Sequence, residues 1–172
     1  MTQDSITLRS SIRPDLKKSI LLKGSTIAIV GFLPLLYAGT MVPAEYLQFW
    51  GFPLFLLSFG MMAAGLIPYR KICKLEEQPN EIILSNDALQ YCENRKRTLT
   101  IPISNIDSIS KIENGKIYGI GLRLKNSESK ITLHQPIEIE KLIKKTGKTY
   151  GVDLFFPYFR ERSFQELDTF LR

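Results

Sequence analysis

Two apolar runs, Gly24–Val42 and Tyr46–Tyr69, constrain this chain more than any other feature. Neither contains an Asp, Glu, Lys or Arg. Each is about as long as one helical crossing of a bilayer, which takes about 20 residues at about 1.5 Å each. A helix of that length lying on a water-soluble core keeps a polar face, and neither run has one. Pro43-Ala44-Glu45 joins them. The runs read as a transmembrane helical hairpin over residues 20–69, with polar chain on both sides.

The charge distribution orients this hairpin. Arg9, Arg13, Lys17, Lys18 and Lys23 precede the first span, and Arg70, Lys71 and Lys74 follow the second, while the connector carries only Glu45. Cytoplasmic flanks collect Lys and Arg, so both termini are expected in the cytoplasm and the connector outside. This topology accounts for the net charge of +6. A nucleic-acid partner is not expected, because no stretch concentrates basic and aromatic residues on one face. Val42-Pro43-Ala44 loosely resembles a signal cleavage site, but the apolar run before it is too long for a signal core. An uncleaved anchor fits better. The spans hold no ionisable residue, which argues against a proton relay, an ion path or a transport site.

Small residues mark the helix faces. Gly24, Ala28 and Gly31 share one face of the first span, and Gly60 and Ala64 share one face of the second. Such faces let helices approach closely in lipid. Packing of the hairpin on itself accounts for them, with oligomerisation through the spans as the alternative. Pro34 and Pro53 should bend the helices, as membrane helices tolerate.

Beyond Pro68 the composition changes. Residues 1–19 read as a polar leader, with Pro14 opening a short helix into the first span. Residues 70–79 read as a linker, and 80–172 as one domain with a single small core. Glu81–Ser85 and Ala88–Cys92 read as strands around an Asn86-Asp87 turn, and Thr98–Ile101 as a third. Ile103, Ile106, Ile109 and Ile112 recur every three residues, a pattern taken here as a bulged strand. Asn114-Gly115 is a hairpin turn, followed by alternation at Ile120, Leu122 and Leu124 and a short strand at Ser129–Leu133. Pro136 to Gly147 reads as a helix, with Glu140 and Lys144 as an i, i+4 pair. Val152–Phe156 reads as a last strand. Ser163-Phe164-Gln165-Glu166 reads as a capping box opening a final helix. The fold class is α+β: a transmembrane α-hairpin with an antiparallel β-barrel or sandwich closed by a C-terminal helix.

Little here points to catalysis. His134 is the only histidine, and there is no nucleophile triad or Gly-rich phosphate loop. Cys73 and Cys92 lack metal-ligand spacing. Glu76-Glu77 sits in the polar linker, and Glu138 and Glu140 do not face each other on a helix. Neither cofactor nor metal is expected, and a non-catalytic protein is. Two groups are candidates for binding. Arg95, Lys96 and Arg97 form a basic hairpin tip, although charges at a sheet edge also deter strand-to-strand aggregation. Tyr158 and Phe159, beside Arg160 and Arg162, are placed to meet a partner or a membrane surface if they are exposed.

Three stretches carry a family likeness. They are Ile82-Ile83-Leu84-Ser85-Asn86-Asp87-Ala88-Leu89-Gln90-Tyr91, Thr100-Ile101-Pro102-Ile103-Ser104-Asn105-Ile106-Asp107-Ser108-Ile109, and Tyr118-Gly119-Ile120-Gly121-Leu122-Arg123-Leu124. In this order they resemble bacterial pleckstrin-homology-like domains, especially those of small inner-membrane proteins in which two transmembrane helices precede the domain. Ile103 stands where that pattern usually has Trp. The resemblance implies a PH-like, partly open barrel closed by a helix, cytoplasmic on a bacterial inner membrane. It also implies a binding or scaffolding role toward membrane lipids or a protein partner, and no catalytic residues. An immunity protein against an antibacterial toxin and a subunit of a membrane enzyme complex are the alternatives.

Overall fold

A computed structural model describes residues 5–115, 117–125, 131–134 and 139–171, with the side chains of the last stretch from residue 143 onward. The chain is α+β and divides into two compact units. One unit is Arg13–Lys74; the other combines the chain up to Ile12 with Leu75 onward.

The first unit is a pair of long helices, α1 (Pro14–Met41) and α2 (Ala44–Glu77). Pro14 occupies the first helical turn, where its missing N–H leaves no bond unmade. The helices have 28 and 34 residues, or roughly 42 and 51 Å of length, so both outrun the apolar stretches. The segment read as a linker is helical as far as Glu77. Thr26 and Thr40 donate their hydroxyls to the carbonyls of Leu22 and Leu36, at 2.9 and 2.8 Å. A helix can satisfy these polar groups internally where no water is at hand.

Small residues make the contact between α1 and α2. A Cβ added at Gly24 would lie 2.3 Å from the Gly65 carbonyl oxygen, and one at Gly65 would lie 2.5 Å from the Gly24 oxygen and 3.0 Å from the Ala28 nitrogen. Gly31 packs against Ser58 and Met61. Besides Leu16 near the start of α1, the buried positions form two sets, Gly24, Gly31 and Ala38 on α1 and Ser58, Gly65 and Ile72 on α2. Both sets step by seven, the spacing that keeps one seam facing a partner helix. Gly60 and Ala64 lie outside this seam: both are exposed, and a Cβ at Gly60 would meet nothing within 4 Å.

The second unit contains two antiparallel sheets among the described residues, not a closed barrel. The larger has the order β1-β2-β3-β4-β7, from Ile6–Arg9, Glu81–Leu84, Ala88–Glu93, Lys96–Pro102 and Thr132–Leu133. The smaller has the order β5-β6-β8, from Ile106–Asn114, Ile117–Leu124 and Leu154–Pro157. Alternate residues point to one face. That face supplies the core: Ile82, Leu84, Leu89, Tyr91, Leu99 and Ile101 from the first sheet, and Ile120, Leu122, Leu154 and Phe156 from the second.

The leader is part of this sheet. β1 pairs with β2 from Ile6↔Leu84 to Arg9↔Glu81, and Leu8, opposite Ile82, is 3 % exposed. The Arg9 Nε meets the Glu81 carboxylate at 2.9 Å across the last pair. The sequence pattern missed this strand because four residues with one buried Leu are too short to show alternation. The hairpin is thus inserted between two paired strands of one sheet.

Elsewhere the pattern needs local correction. The isoleucine series begins in a 3-10 turn, Ile103–Asn105, and continues as β5. A register shift between Ile106 and Ser108 makes Asp107 an extra residue, which brings Ile106 and Ile109 to the same face and explains their spacing of three. Gly115 takes φ +59 in the β5–β6 hairpin, as its turn requires. The helix α3 (Ile139–Tyr150) runs through Gly147 and stops at Gly151, whose φ is +70 and whose N–H donates to the Gly147 oxygen at 3.0 Å. This is a left-handed C-terminal cap. Pro136 and the Glu140 side chain lie outside the described residues, as do Ser129 and Lys130. The last helix, α4 (Glu161–Leu171), starts before the proposed capping box. The Phe164 N–H donates to Arg160 at 3.1 Å, so Ser163 lies in the first turn and not at the cap. Leu167 on α4 is fully buried, with Phe164, Phe170 and Leu171 packed around the same core.

Candidate functional site

The β3–β4 hairpin builds the basic tip. Glu93 pairs with Lys96, which leaves Asn94 and Arg95 as the two loop residues, at φ 50 and 63. Two positive φ values in a two-residue loop are the type I′ arrangement, which matches the twist of the strands. Asn suits its place. Arg95 occupies the place where Gly is normal, and a side chain there is strained. Arg95, Lys96 and Arg97 are all exposed. Thr98 is an extra residue in β4, since Tyr91 pairs with Leu99 while Cys92 pairs with Arg97. Its hydroxyl donates to the Lys96 oxygen at 3.2 Å, which ties the bulge to the tip. Three successive cations on a short hairpin can bind phosphate or carboxylate oxygens, the two Arg residues in bidentate fashion.

Near the base of this hairpin Cys92 is 8 % exposed. Burial raises its thiol pKa, with Arg97 pulling it down and Glu81 pushing it up. A thiol held neutral in this way is a poor nucleophile. Between the two sheets lies an apolar cavity of about 200 Å³, with Tyr91, Leu99, Leu133 and Phe156 in its walls and Glu93 and Thr98 at its edge. Tyr91 stacks on Phe156 with ring centroids 4.6 Å apart, and burial first, then Glu93 and Cys92, raise its phenol pKa.

The second candidate group does different work. Phe159, expected at the surface, is 2 % exposed and belongs to the core. Tyr158, at φ +67, donates its N–H to the Tyr118 oxygen and accepts from the Ser11 N–H, both at 2.8 Å. The Tyr118 hydroxyl donates to the Ser11 oxygen at 2.8 Å. Arg160 donates from Nη2 to the Ile12 oxygen at 2.7 Å. Arg162 instead bonds Glu166 one turn along α4, at 2.8 Å. Ser10 and Asn80 exchange two further bonds: the Ser10 N–H donates to the Asn80 oxygen, and the Asn80 N–H to the Ser10 hydroxyl, each at 2.8 Å. Together these groups form a clasp on residues 10–12, where the chain leaves the sheet. Sequence reasoning missed Ser10, Asn80 and Tyr118 as its parts, because their partners lie far away in the chain and no local pattern signals such bonds.

The remaining residues singled out from sequence are dispersed. His134 is exposed, with Nε2 at 3.2 Å from the Thr100 hydroxyl. Glu76 and Glu77 form the end of α2. Among the described residues no group of three His, Cys, Asp or Glu is gathered to hold a metal ion. Of the small residues, Gly24, Ala28 and Gly31 lie at the α1–α2 contact and Gly60 and Ala64 do not, while Gly65 and Ser58 take that role. The heptad Gly51, Ser58, Gly65, Ile72 carried the signal in the sequence. Comparisons with protein-family models, curated proteins and solved structures give no match to this chain.

Proposed function

We propose that this chain is a membrane-anchored binding protein of the bacterial inner membrane, without catalytic activity. Its β unit, PH-like in character and cytoplasmic, presents the Arg95-Lys96-Arg97 tip to anionic groups on lipid headgroups or on an acidic protein. One observation carries the reading: an apolar helical hairpin interrupts the chain between Arg9 and Glu81, which are direct partners in one sheet. A hairpin that leaves and re-enters one sheet at adjacent residues must cross a bilayer an even number of times. Both ends then emerge on the side of the β unit, and the Lys/Arg bias of the flanks assigns that side to the cytoplasm. The basic tip, exposed on a two-residue turn, is the part of the β unit best suited to a charged partner.

Reporter fusions test the anchor. Reporters at Met1 and Arg172 should both read cytoplasm, and one at Glu45 should read outside; a cytoplasmic signal at Glu45 refutes the hairpin. Vesicle binding tests the tip. Each basic residue near an anionic surface contributes about 1 kcal/mol, screened beyond about one Debye length. With the hairpin replaced by a short linker, the β unit should bind anionic vesicles at low salt and lose much of that binding when Arg95, Lys96 and Arg97 become Ala. Membrane fractionation of the full chain should not change with the same substitutions. If the β unit ignores anionic vesicles at low salt, the lipid role falls and an acidic protein partner is the remaining ligand.

A further inference from the structure

The seam between α1 and α2 fixes which residues of the hairpin stand at the same height. Gly24 lies against Gly65, and Gly31 against Ser58 and Met61. Antiparallel helices keep this register, so each step toward the root of α1 is matched by one step along α2. Lys18 then comes level with Arg70 and Lys71, and Lys23 lies more than a turn deeper, level with Leu66. All four basic residues are exposed. Asp15 in the first turn is the one acidic residue of α1, and between Tyr46 and Leu75 on α2 there is no Asp or Glu. The apolar surface begins at the next turn, with exposed Leu21 and Leu22 on α1 and Leu66 and Ile67 on α2.

Positive charge that is merely scattered along two flanks serves orientation alone. Here the register gathers Lys18, Arg70 and Lys71 at one level, at the edge of an apolar surface, with Asp15 one turn away on the side remote from that surface. We infer that Lys18, Arg70 and Lys71, with Lys23 reaching up from below, form a binding collar for the phosphates of anionic membrane lipids. The inference rests on the membrane reading of the hairpin and is independent of the basic tip. Arg70 supplies a planar fork for phosphate oxygens, and the lysines supply point charges. The long stem of Lys23 lies along the helix while its ammonium rises to the headgroups. An anionic headgroup fits the collar by charge, and its acyl chains fit the exposed leucines below it.

The full chain in nanodiscs of mixed phosphatidylglycerol and phosphatidylcholine provides the test, read by native mass spectrometry of the lipids that stay bound. The wild type should retain phosphatidylglycerol over phosphatidylcholine, with a preference of roughly fivefold for each engaged basic residue before screening. Lys18→Gln/Arg70→Gln/Lys71→Gln should abolish the preference. Lys18→Arg/Lys71→Arg should keep it, and so should substitution of the tip at Arg95, Lys96 and Arg97. Nanodiscs expose both leaflets, so a change of orientation in the Gln variant does not affect the measurement. Equal retention of both lipids by the wild type, or an undiminished preference in the Gln variant, overturns the collar and leaves the anchor intact. Release of the wild-type chain from native membranes by alkaline extraction overturns the anchor, and the collar with it.

Discussion

Over most of their length the helices bury small residues, whereas the β unit buries large apolar ones. In the helices the buried positions are mostly small, Gly24, Gly31, Ala38, Ser58 and Gly65, with Leu16 and Ile72 the large ones at the β-unit end of the pair, while Leu22, Phe49, Trp50 and Phe52 are 69 to 81 % exposed. In the β unit Ile82, Leu84, Leu89, Ile101, Ile120, Leu122, Leu154 and Leu167 are buried to 1 % or less. The difference teaches what each unit is built to face. Water drives large apolar groups into a core. Lipid offers no such drive, and helices associate by close backbone packing over small residues. The two helices are long and apolar enough to span a membrane, and an apolar surface of this extent is an aggregation liability in water.

The clearest way to break this comparison is to separate the units. Replacing Arg13–Glu77 with a short Gly/Ser linker keeps β1 beside β2, because Arg9 and Glu81 are already partners. That protein should be soluble, monomeric and β-rich. A fragment starting at Leu75 lacks β1, loses buried Leu8 and bares the edge of β2, an invitation to strand-to-strand association. It should aggregate or remain unfolded. Circular dichroism and gel filtration of the two proteins decide the matter, and equal behaviour would mean that β1 adds nothing to the fold.

A matched pair of leucines sharpens the comparison. Leu122→Ala removes a fully buried side chain from the β core and should cost about 2–5 kcal/mol of stability in denaturant unfolding of the linker-joined protein. Leu22→Ala removes a side chain that is 72 % exposed on α1. It opens no cavity, and the full chain in nanodiscs should resist heat as well as the wild type does.

Much of this contrast was legible in the sequence. The two charge-free runs announced the hairpin, and the alternation at Ile82 and Leu84, or at Ile120 and Leu122, announced strands. The parts that were not legible depend on what meets what. β1 is readable only from its pairing with β2. Gly65 and Ser58 differ from Gly60 only in which face of α2 meets α1, and a pair spaced by four drew attention away from a series spaced by seven. The helix ends moved because Gly151, not Gly147, takes the left-handed conformation, and because α4 starts ahead of Ser163. At the candidate site the basic tip could be read as a charge cluster, whereas the burial of Phe159 and the bond from Arg160 to Ile12 needed the fold.

Glycines test the seam more finely. Gly65→Ala places a Cβ against the Gly24 carbonyl, and carbonyl and helix backbone have little room to yield. Overpacking of this kind costs about 1–3 kcal/mol. The full chain should lose resistance to heat in mild detergent. Gly60→Ala meets open space and should be neutral or slightly stabilising, since Ala is the better helix former. If Gly60→Ala is as harmful as Gly65→Ala, the seam runs along the wrong face, or Gly60 packs against a second copy.

The smallest effect concerns Arg95. Its φ of 63 is a conformation that Gly adopts freely and other residues adopt at a cost. Arg95→Gly relieves that cost but widens the freedom of the unfolded chain, which offsets about 0.4–1 kcal/mol of the gain. The balance should leave the linker-joined β unit equally stable or more stable by a few tenths of a kcal/mol. Binding should move the other way, because one of three cations is gone: retention on anionic vesicles at low salt should fall by roughly fivefold. Arg95→Lys keeps the strain and the charge, so its stability and vesicle binding should both stay close to wild type. Opposite signs in stability and binding for Arg95→Gly would mean that the turn holds a strained residue for the sake of its charge. A Gly variant that binds as well as wild type would make Arg95 an ordinary surface residue, and Lys96 and Arg97 would have to carry the interaction alone.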